Sequence, residues 1–300
     1  MNRHLRLTIL LLAVIGLSST QQRALQAAGN FPSYLDNGVL PSEINGWASS
    51  VVDYSPTSEV VAFDSFDGGP HNVPKRSIGY SDGRTVSLGD LDSDALANNE
   101  SPGSITIRLS GFAFDAPGPD LAIFENALPF GPSSSHDFIF AELAFVEVST
   151  NGVQFARFPS TSLNVESPAA DPLVQLHNPF DLRNFVGLNT TNIDNLAGIH
   201  PSGVGTPFDL SDLASDPLVV AGEVDLNEIV FIRLVDIPGD GSVVDSLGNP
   251  ILDSWHTAES GGLDLDAVGA INFVPEPSAV LLFTASFCTL LGVRVRRPKL

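Results

Sequence analysis

Apolar and polar residues alternate with a period of two over several short stretches of this chain, and turn-forming residues separate the stretches. Ile105, Ile107 and Leu109 face one way and Thr106, Arg108 and Ser110 the other, directly after Ser101-Pro102-Gly103-Ser104. That is the pattern of a half-buried strand. Residues 121–124 are apolar throughout and few, as in a short buried strand. Residues 138–149 and 153–158 flank Thr150-Asn151-Gly152 and predict a hairpin. In its first arm Phe145, Glu147 and Ser149 share one face, Val146 and Val148 the other. Residues 228–237 and 263–273 supply two more long strands. Between Ser160 and Val220 the chain is rich in Pro, Asn, Asp and Gly, which predicts long loops with one short helix inside the same domain. No repeat of twenty to fifty residues argues for a propeller, β-helix or solenoid. Strands joined by turns, without crossover helices, predict an all-β fold: a β-sandwich of jelly-roll type.

Two apolar runs bracket this body. Residues 7–17 follow Arg3 and Arg6 and precede a polar stretch ending Leu25-Gln26-Ala27-Ala28. A basic start, a short apolar helix and a small residue before the cut are the parts of a secretory signal peptide, placed at 1–27 with Ala28 as the alternative end. A helix of that length spans only ~16 Å, too little to cross a bilayer comfortably. Export through the Sec machinery is the expectation. At the other end, Val274-Pro275-Glu276-Pro277-Ser278 precedes an apolar run over 279–293 and a basic finish, Arg294, Arg296, Arg297 and Lys299. The prolines favour an extended segment. The apolar run predicts a single transmembrane helix, workable with tilt and local thinning, whose basic end stays cytoplasmic. The chain therefore divides into a leader over 1–27, a β domain over 28–273 and an anchoring segment over 274–300.

Charge sharpens this division. The net charge is −21, yet seven of the 14 basic residues lie in the two ends. The other seven face 34 acidic residues between Ala28 and Phe273, a local net charge of −27. Such a surface repels nucleic acid and anionic lipid, attracts divalent cations and keeps an exported domain soluble. The one cysteine, Cys288, lies in the C-terminal apolar run, so the body has no disulfide. Phe 19 against Tyr 3 and Trp 2 marks the aromatics as core filler and weighs against a strong sugar-stacking platform.

Calcium is the ion that the acidic pattern suggests, because it takes six to eight oxygens from carboxylates and carbonyls on turns. Asp264 and Asp266 are two apart, hence expected on one strand face; Asp120, Glu125 and Asn126 flank the short strand at 121–124. Asp240 and Asp245 sit in a Gly-containing loop. The plainer alternative is that these acids cap turns or face water. The chain has no EF-hand loop, no HExxH, no Gly-x-Ser-x-Gly elbow and no lysine in its nearest phosphate-loop candidate, residues 202–206. Glu142 and Glu147 fall on opposite faces of one strand, and only the fold could bring Glu125 to Glu142. A non-catalytic protein is therefore expected, with a polysaccharide hydrolase using a carboxylate pair as the alternative.

Two resemblances add to this reading. Val274-Pro275-Glu276-Pro277, the apolar run and the arginine-rich end together resemble the PEP-CTERM sorting signal of Gram-negative bacteria. The resemblance covers 274–300 and implies recognition by an exosortase, processing near Pro-Glu-Pro, transient membrane anchoring, and delivery to the outer surface or a polysaccharide matrix. The body is similar to a family of secreted bacterial surface proteins through Trp47-Ala48, Val51 to Pro56, Val86-Ser87-Leu88-Gly89, Gly118 to Asn126, Phe140 to Ser149 and Gly262 to Val268. That similarity implies a sandwich akin to discoidin-type and galactose-binding-like modules, where a final strand with an Asp-x-Asp pattern is common. The expectation for the whole is a non-catalytic surface or matrix protein whose β-sandwich binds calcium and extracellular polysaccharide. Where relatives tend to carry Ala-Leu-Gly-x-Pro-Asp, this chain has Ser77-Ile78-Gly79-Tyr80-Ser81-Asp82, without the proline.

Overall fold

Alternation predicts a mostly β protein, and the computed structural model shows one, built on a curled antiparallel sheet. It describes residues 31–58, 60, 70–129, 138–164, 188–255, 257 and 261–276. The sheet contains β1 (Gly46–Ser55), β2 (Ser104–Ala113), β3 (Leu121–Phe124), β4 (Ala144–Ser149), β5 (Ala156–Arg157), β6 (Gly205–Phe208), β7 (Ile229–Asp236), β8 (Ala267–Ala270) and β9 (Phe273–Pro275). Their order is β6-β3-β8-β1-β2-β7-β4-β5, with β9 added to β2. The curl originates in β1. Its start, Gly46 and Trp47, pairs with β8, whereas Ala48 onward pairs with β2, with register shifts at Ala48/Ser50 and Val51/Asp53. Bulges of this kind bend a strand and re-aim it.

The faces separate as the two-residue period requires. Ile105, Ile107 and Leu109 of β2 join Val146 and Val148 of β4, Ile232 and Leu234 of β7, Phe158 and Phe208 in one core. Phe145 points the other way, into a second core with Ile139, Leu143, Leu188, Ile237 and Ile251. Burial of each such side chain contributes about 1.5–3 kcal/mol. Glu147, on the Phe145 face, is held by ion pairs with Arg157 and Arg233, whose guanidinium groups lie over Phe145 and Phe155 at 4.2 and 4.0 Å.

Three stretches depart from expectation. Residues 138–149 are two strands, Phe138–Phe140 and β4, because the backbone of Leu143 is taken by Asp253 and Ile237. Residues 263–273 divide at Asp266 into Asp264–Leu265, which pairs with Val86–Ser87, and β8. Within the stretch assigned to loops, residues 205–208 form β6, and Pro217–Val220 is the one short α-helix described there. A strand with Pro207 at its third position reads as a loop, but β6 is the sheet's edge, where a missing N–H costs no ladder bond.

Among the described residues no helix is long and apolar enough to cross a membrane. The leader, the apolar run at 279–293, Pro277 and the basic residues Arg294, Arg296, Arg297 and Lys299 lie outside the described residues. Val274 and Pro275, assigned by sequence to the anchoring segment, are the second and third residues of β9.

Candidate functional site

The residues expected to hold calcium fall at opposite ends of β3. Asp120 precedes the strand and Glu125 and Asn126 follow it. Asp120 Oδ1 accepts from the Ala116 N–H at 3.0 Å and from Asn272 Nδ2 at 2.8 Å, and Oδ2 accepts from the Leu210 N–H at 2.9 Å. It pins three loops together, and burial raises its pKa. Asp115 and Asp209 bring their carboxylates to it, with all three groups within 4.8 Å of one another. Asp209 also caps the following turn through the Ser211 N–H.

At the far end Glu125 is fully enclosed. Its two oxygens accept from the backbone N–H groups of Ala127 and His200, both at 2.6 Å. Burial pushes its pKa up to about 8. Asn126 Nδ2 donates to Asp264 Oδ2 at 3.0 Å, so these two expected ligands do meet. Asp264 and Asp266 do not share a site. Asp264 bonds the Ser87 hydroxyl, while Asp266 accepts from Ser81 Oγ at 2.6 Å and from the Asp82 and Gly83 N–H groups at 3.2 Å. The chain breaks strand geometry at Asp266, which removes the two-residue periodicity on which a shared face depends. Asp240 and Asp245 cap their own turns, at Ser242 and at Leu247 and Asn249.

The structure gathers a different set around Asp264. Asp90 follows the strand Val86–Ser87, Glu142 sits in the gap before β4, Asp236 ends β7, and Asp253 follows Pro250–Leu252. Long-range pairing makes them neighbours. Asp264 lies opposite Ser87, and the Leu88 N–H bonds the Leu263 carbonyl at 3.0 Å. The Leu263 N–H donates to Asp236 Oδ1 at 2.8 Å. Gly262, at φ +69°, lies so near that a Cβ there would stand 2.7 Å from both Asp236 Oδ1 and the Gly89 carbonyl carbon. Only glycine tolerates both that φ and that approach. Asp253 Oδ2 accepts from the Leu143 N–H at 2.9 Å. Thr257 closes the group, with its N–H on Asp90 Oδ2 at 3.1 Å and its hydroxyl on Glu142 Oε1 at 2.5 Å.

Asp90, Asp236, Asp253 and Asp264 are buried and Glu142 is partly exposed. Burial raises the pKa of Glu142, Asp236 and Asp253, and neighbouring carboxylates raise each further: Asp264, Asp90 and Asp253 act on Glu142, Asp90 and Asp264 on Asp236, Asp90 and Asp236 on Asp253. Asp236 Oδ2 is buried and has no hydrogen-bond partner among the described residues. A bare, desolvated carboxylate oxygen among other carboxylates is costly unless a proton or a cation sits with it.

Of this group the sequence singled out only Asp264 as a ligand. Asp90, Asp236 and Asp253 each stand at or just past a strand end, but that signal is common, and what unites them is pairing across 27 to 177 residues of chain. The chain matches neither a protein-family model nor a curated protein.

Proposed function

We propose that this is an exported, non-catalytic protein of the bacterial cell surface or extracellular matrix. In this reading a jelly-roll-like β-sandwich binds extracellular polysaccharide with calcium as cofactor. The Sec machinery carries the chain outward, and an exosortase acts at Val274-Pro275-Glu276-Pro277. The observation that carries the reading is the way the folded body meets the C-terminal segment. β9 lies along β2, with Phe273 opposite Ala113 and Pro275 opposite Gly111. A Cβ on Gly111 would stand 2.1 Å from the Val274 carbonyl oxygen, so the sequence has made room for this strand. The Glu276 N–H donates to the Ser110 carbonyl at 3.2 Å, and its carboxylate pairs with Arg108. In sequence the apolar run begins at Ala279, two residues after Pro277. The domain is thus joined to its anchor with almost no linker, an arrangement suited to display at a membrane followed by release.

Burial of the acidic groups supports a non-catalytic role. Glu125, Asp120, Asp253 and Asp266 spend their oxygens on backbone N–H groups that fix loops, which leaves them poorly placed for the acid and base work of a hydrolase. Sorting is tested by replacing Pro275, Glu276 and Pro277 with alanine in the producing organism. The expected result is retention of the protein in the membrane fraction; release at the normal level overturns the sorting role. A glycan array probed with and without calcium tests the binding role: calcium-dependent retention on polysaccharide is expected, and a blank array overturns it.

A further inference from the structure

Val274, Pro275 and Glu276 are exposed at the surface, yet their backbone is committed to β2. The Phe114 N–H donates to the Asn272 carbonyl at 3.2 Å, and the Glu276 N–H to the Ser110 carbonyl at 3.2 Å. Hydrogen-bonded and non-bonded pairs alternate along an antiparallel ladder, so Pro275, opposite Gly111, falls where no N–H is called for. β1 runs beside β2 only from Ala48 on, opposite Leu109 to Ser104, and β9 takes the same flank from Gly111 to Ala113. Two glycines make the seat. A Cβ on Gly46 would stand 2.4 Å from the Phe273 ring. The three atoms nearest a Cβ on Gly111 all belong to β9: the Val274 carbonyl oxygen at 2.1 Å, and the Phe273 ring and Pro275 Cα, both at 2.8 Å. Neither glycine has a positive φ, so close approach alone asks for them. The Arg108–Glu276 ion pair fastens the end of the segment.

We propose that β9 is a latch: docked on β2, it withholds the Val274-Pro275-Glu276 segment from the processing protease, and the domain is released only after β9 peels from the sheet. The proposal rests on the sorting role proposed above and adds a control to it. An enzyme that takes its substrate as an added strand needs the same backbone groups that a neighbouring strand uses. In the docked state those groups face β2, so cleavage draws on the undocked fraction alone. Undocking is a local event. β9 is three residues long and lies off the main strand order, and of its side chains it is Phe273 that packs against the first core. Peeling it away leaves the eight strands of the main order paired. The grip on Phe273 and Glu276 therefore sets how often the segment is free.

Chymotrypsin, which cuts after phenylalanine in a free segment, reads the latch directly. The full chain is purified in mild detergent, and hydrolysis of the Phe273–Val274 bond is followed by mass in the native protein, Gly111→Ala, Arg108→Ala and the core variant Ile232→Val. Cutting should be slow in the native protein and roughly fivefold faster or more in Gly111→Ala, because cleavage follows the open population. Arg108→Ala should gain less, and Ile232→Val, which weakens the core without touching β9, should gain nothing. In the producing organism these variants leave residues 274–277 intact, and Gly111→Ala should speed conversion of the membrane-held protein to the released form. Ala113→Cys combined with Phe273→Cys joins opposite residues of β2 and β9; it should hold the protein in the membrane until a reductant opens the disulfide. Should Gly111→Ala fail to fold, this pair carries the test. The latch is overturned if chymotrypsin cuts the native protein as fast as Gly111→Ala. It is also overturned if alanines at 275–277 block release while Gly111→Ala and the crosslink leave its rate unchanged. Normal release with alanines at 275–277 would instead overturn the sorting role, and the chymotrypsin result would still decide whether β9 shields its own backbone.

Discussion

The two ends of the four-residue strand β3 carry two acidic groups that look alike on a list of residues and differ in physics. At the Asp120 end, three carboxylates lie within 4.8 Å, but Asp120 has both oxygens satisfied by three N–H donors and Asp115 is exposed. Beyond the Glu125 end, four of five carboxylates are buried, their charges act on one another, and one oxygen of Asp236 is bare. Proximity of acids is therefore a poor guide to a cation site. What counts is lone pairs that the protein has desolvated and left unanswered.

The largest effect that separates the ends is expected at Asp120. Asp120→Ala leaves the N–H groups of Ala116 and Leu210 and the amide of Asn272 without their acceptor, at a cost of about 3 kcal/mol. Urea unfolding should show the same loss with calcium and with chelator; a loss that appears only in calcium would assign Asp120 to a cation site instead. Next comes pH. Glu125 rises from 4.5 to about 8 when folded, so the native state holds a proton that the unfolded chain has released. The stabilisation is whole below the unfolded value and is lost as pH climbs through about 8. Between pH 6.5 and 8 that amounts to about 2 kcal/mol, at roughly 1.4 kcal/mol per unit. His200, lowered to about 4 by burial, has the opposite sign, its contribution being whole above about 6.5 and lost on acidification, while Glu142, Asp236 and Asp253, also raised by burial, act in the same sense as Glu125. Unfolding of the chelated protein should lose stability with rising pH, and Glu125→Gln should flatten that loss; parallel slopes would locate the proton elsewhere. The smallest effect is at Asp209, where alanine removes one turn cap worth about 1 kcal/mol, with no change in calcium response. A diminished calcium response there would erase the contrast between the two ends.

The β character of the domain was legible because its determinants are local. Ile105, Ile107 and Leu109 go to the core as their alternation requires, and Phe145 separates from Val146 and Val148. The breaks at Glu142 and Asp266 were not legible, because distant groups impose them: the Asp253 carboxylate on Leu143, the 81–83 turn on Asp266. β6 was missed for the reverse reason, since Pro207 signals a loop and only the edge of a sheet tolerates it. The candidate site shows the same limit. Asn126 and Asp264, singled out by sequence in separate groups, meet through one hydrogen bond, but Asp90, Asp236 and Asp253 acquire meaning only when β7, the Val86–Ser87 strand and the Asp264–Leu265 strand are brought side by side. Each sits at an unremarkable strand end, and the sequence carries no spacing that links them.

Binding of calcium by the exported domain is tested most directly by titration calorimetry of the full chain at pH 7.5. Saturable binding at roughly 10⁻⁴–10⁻³ M is the predicted result. Absence of binding heat would contradict it.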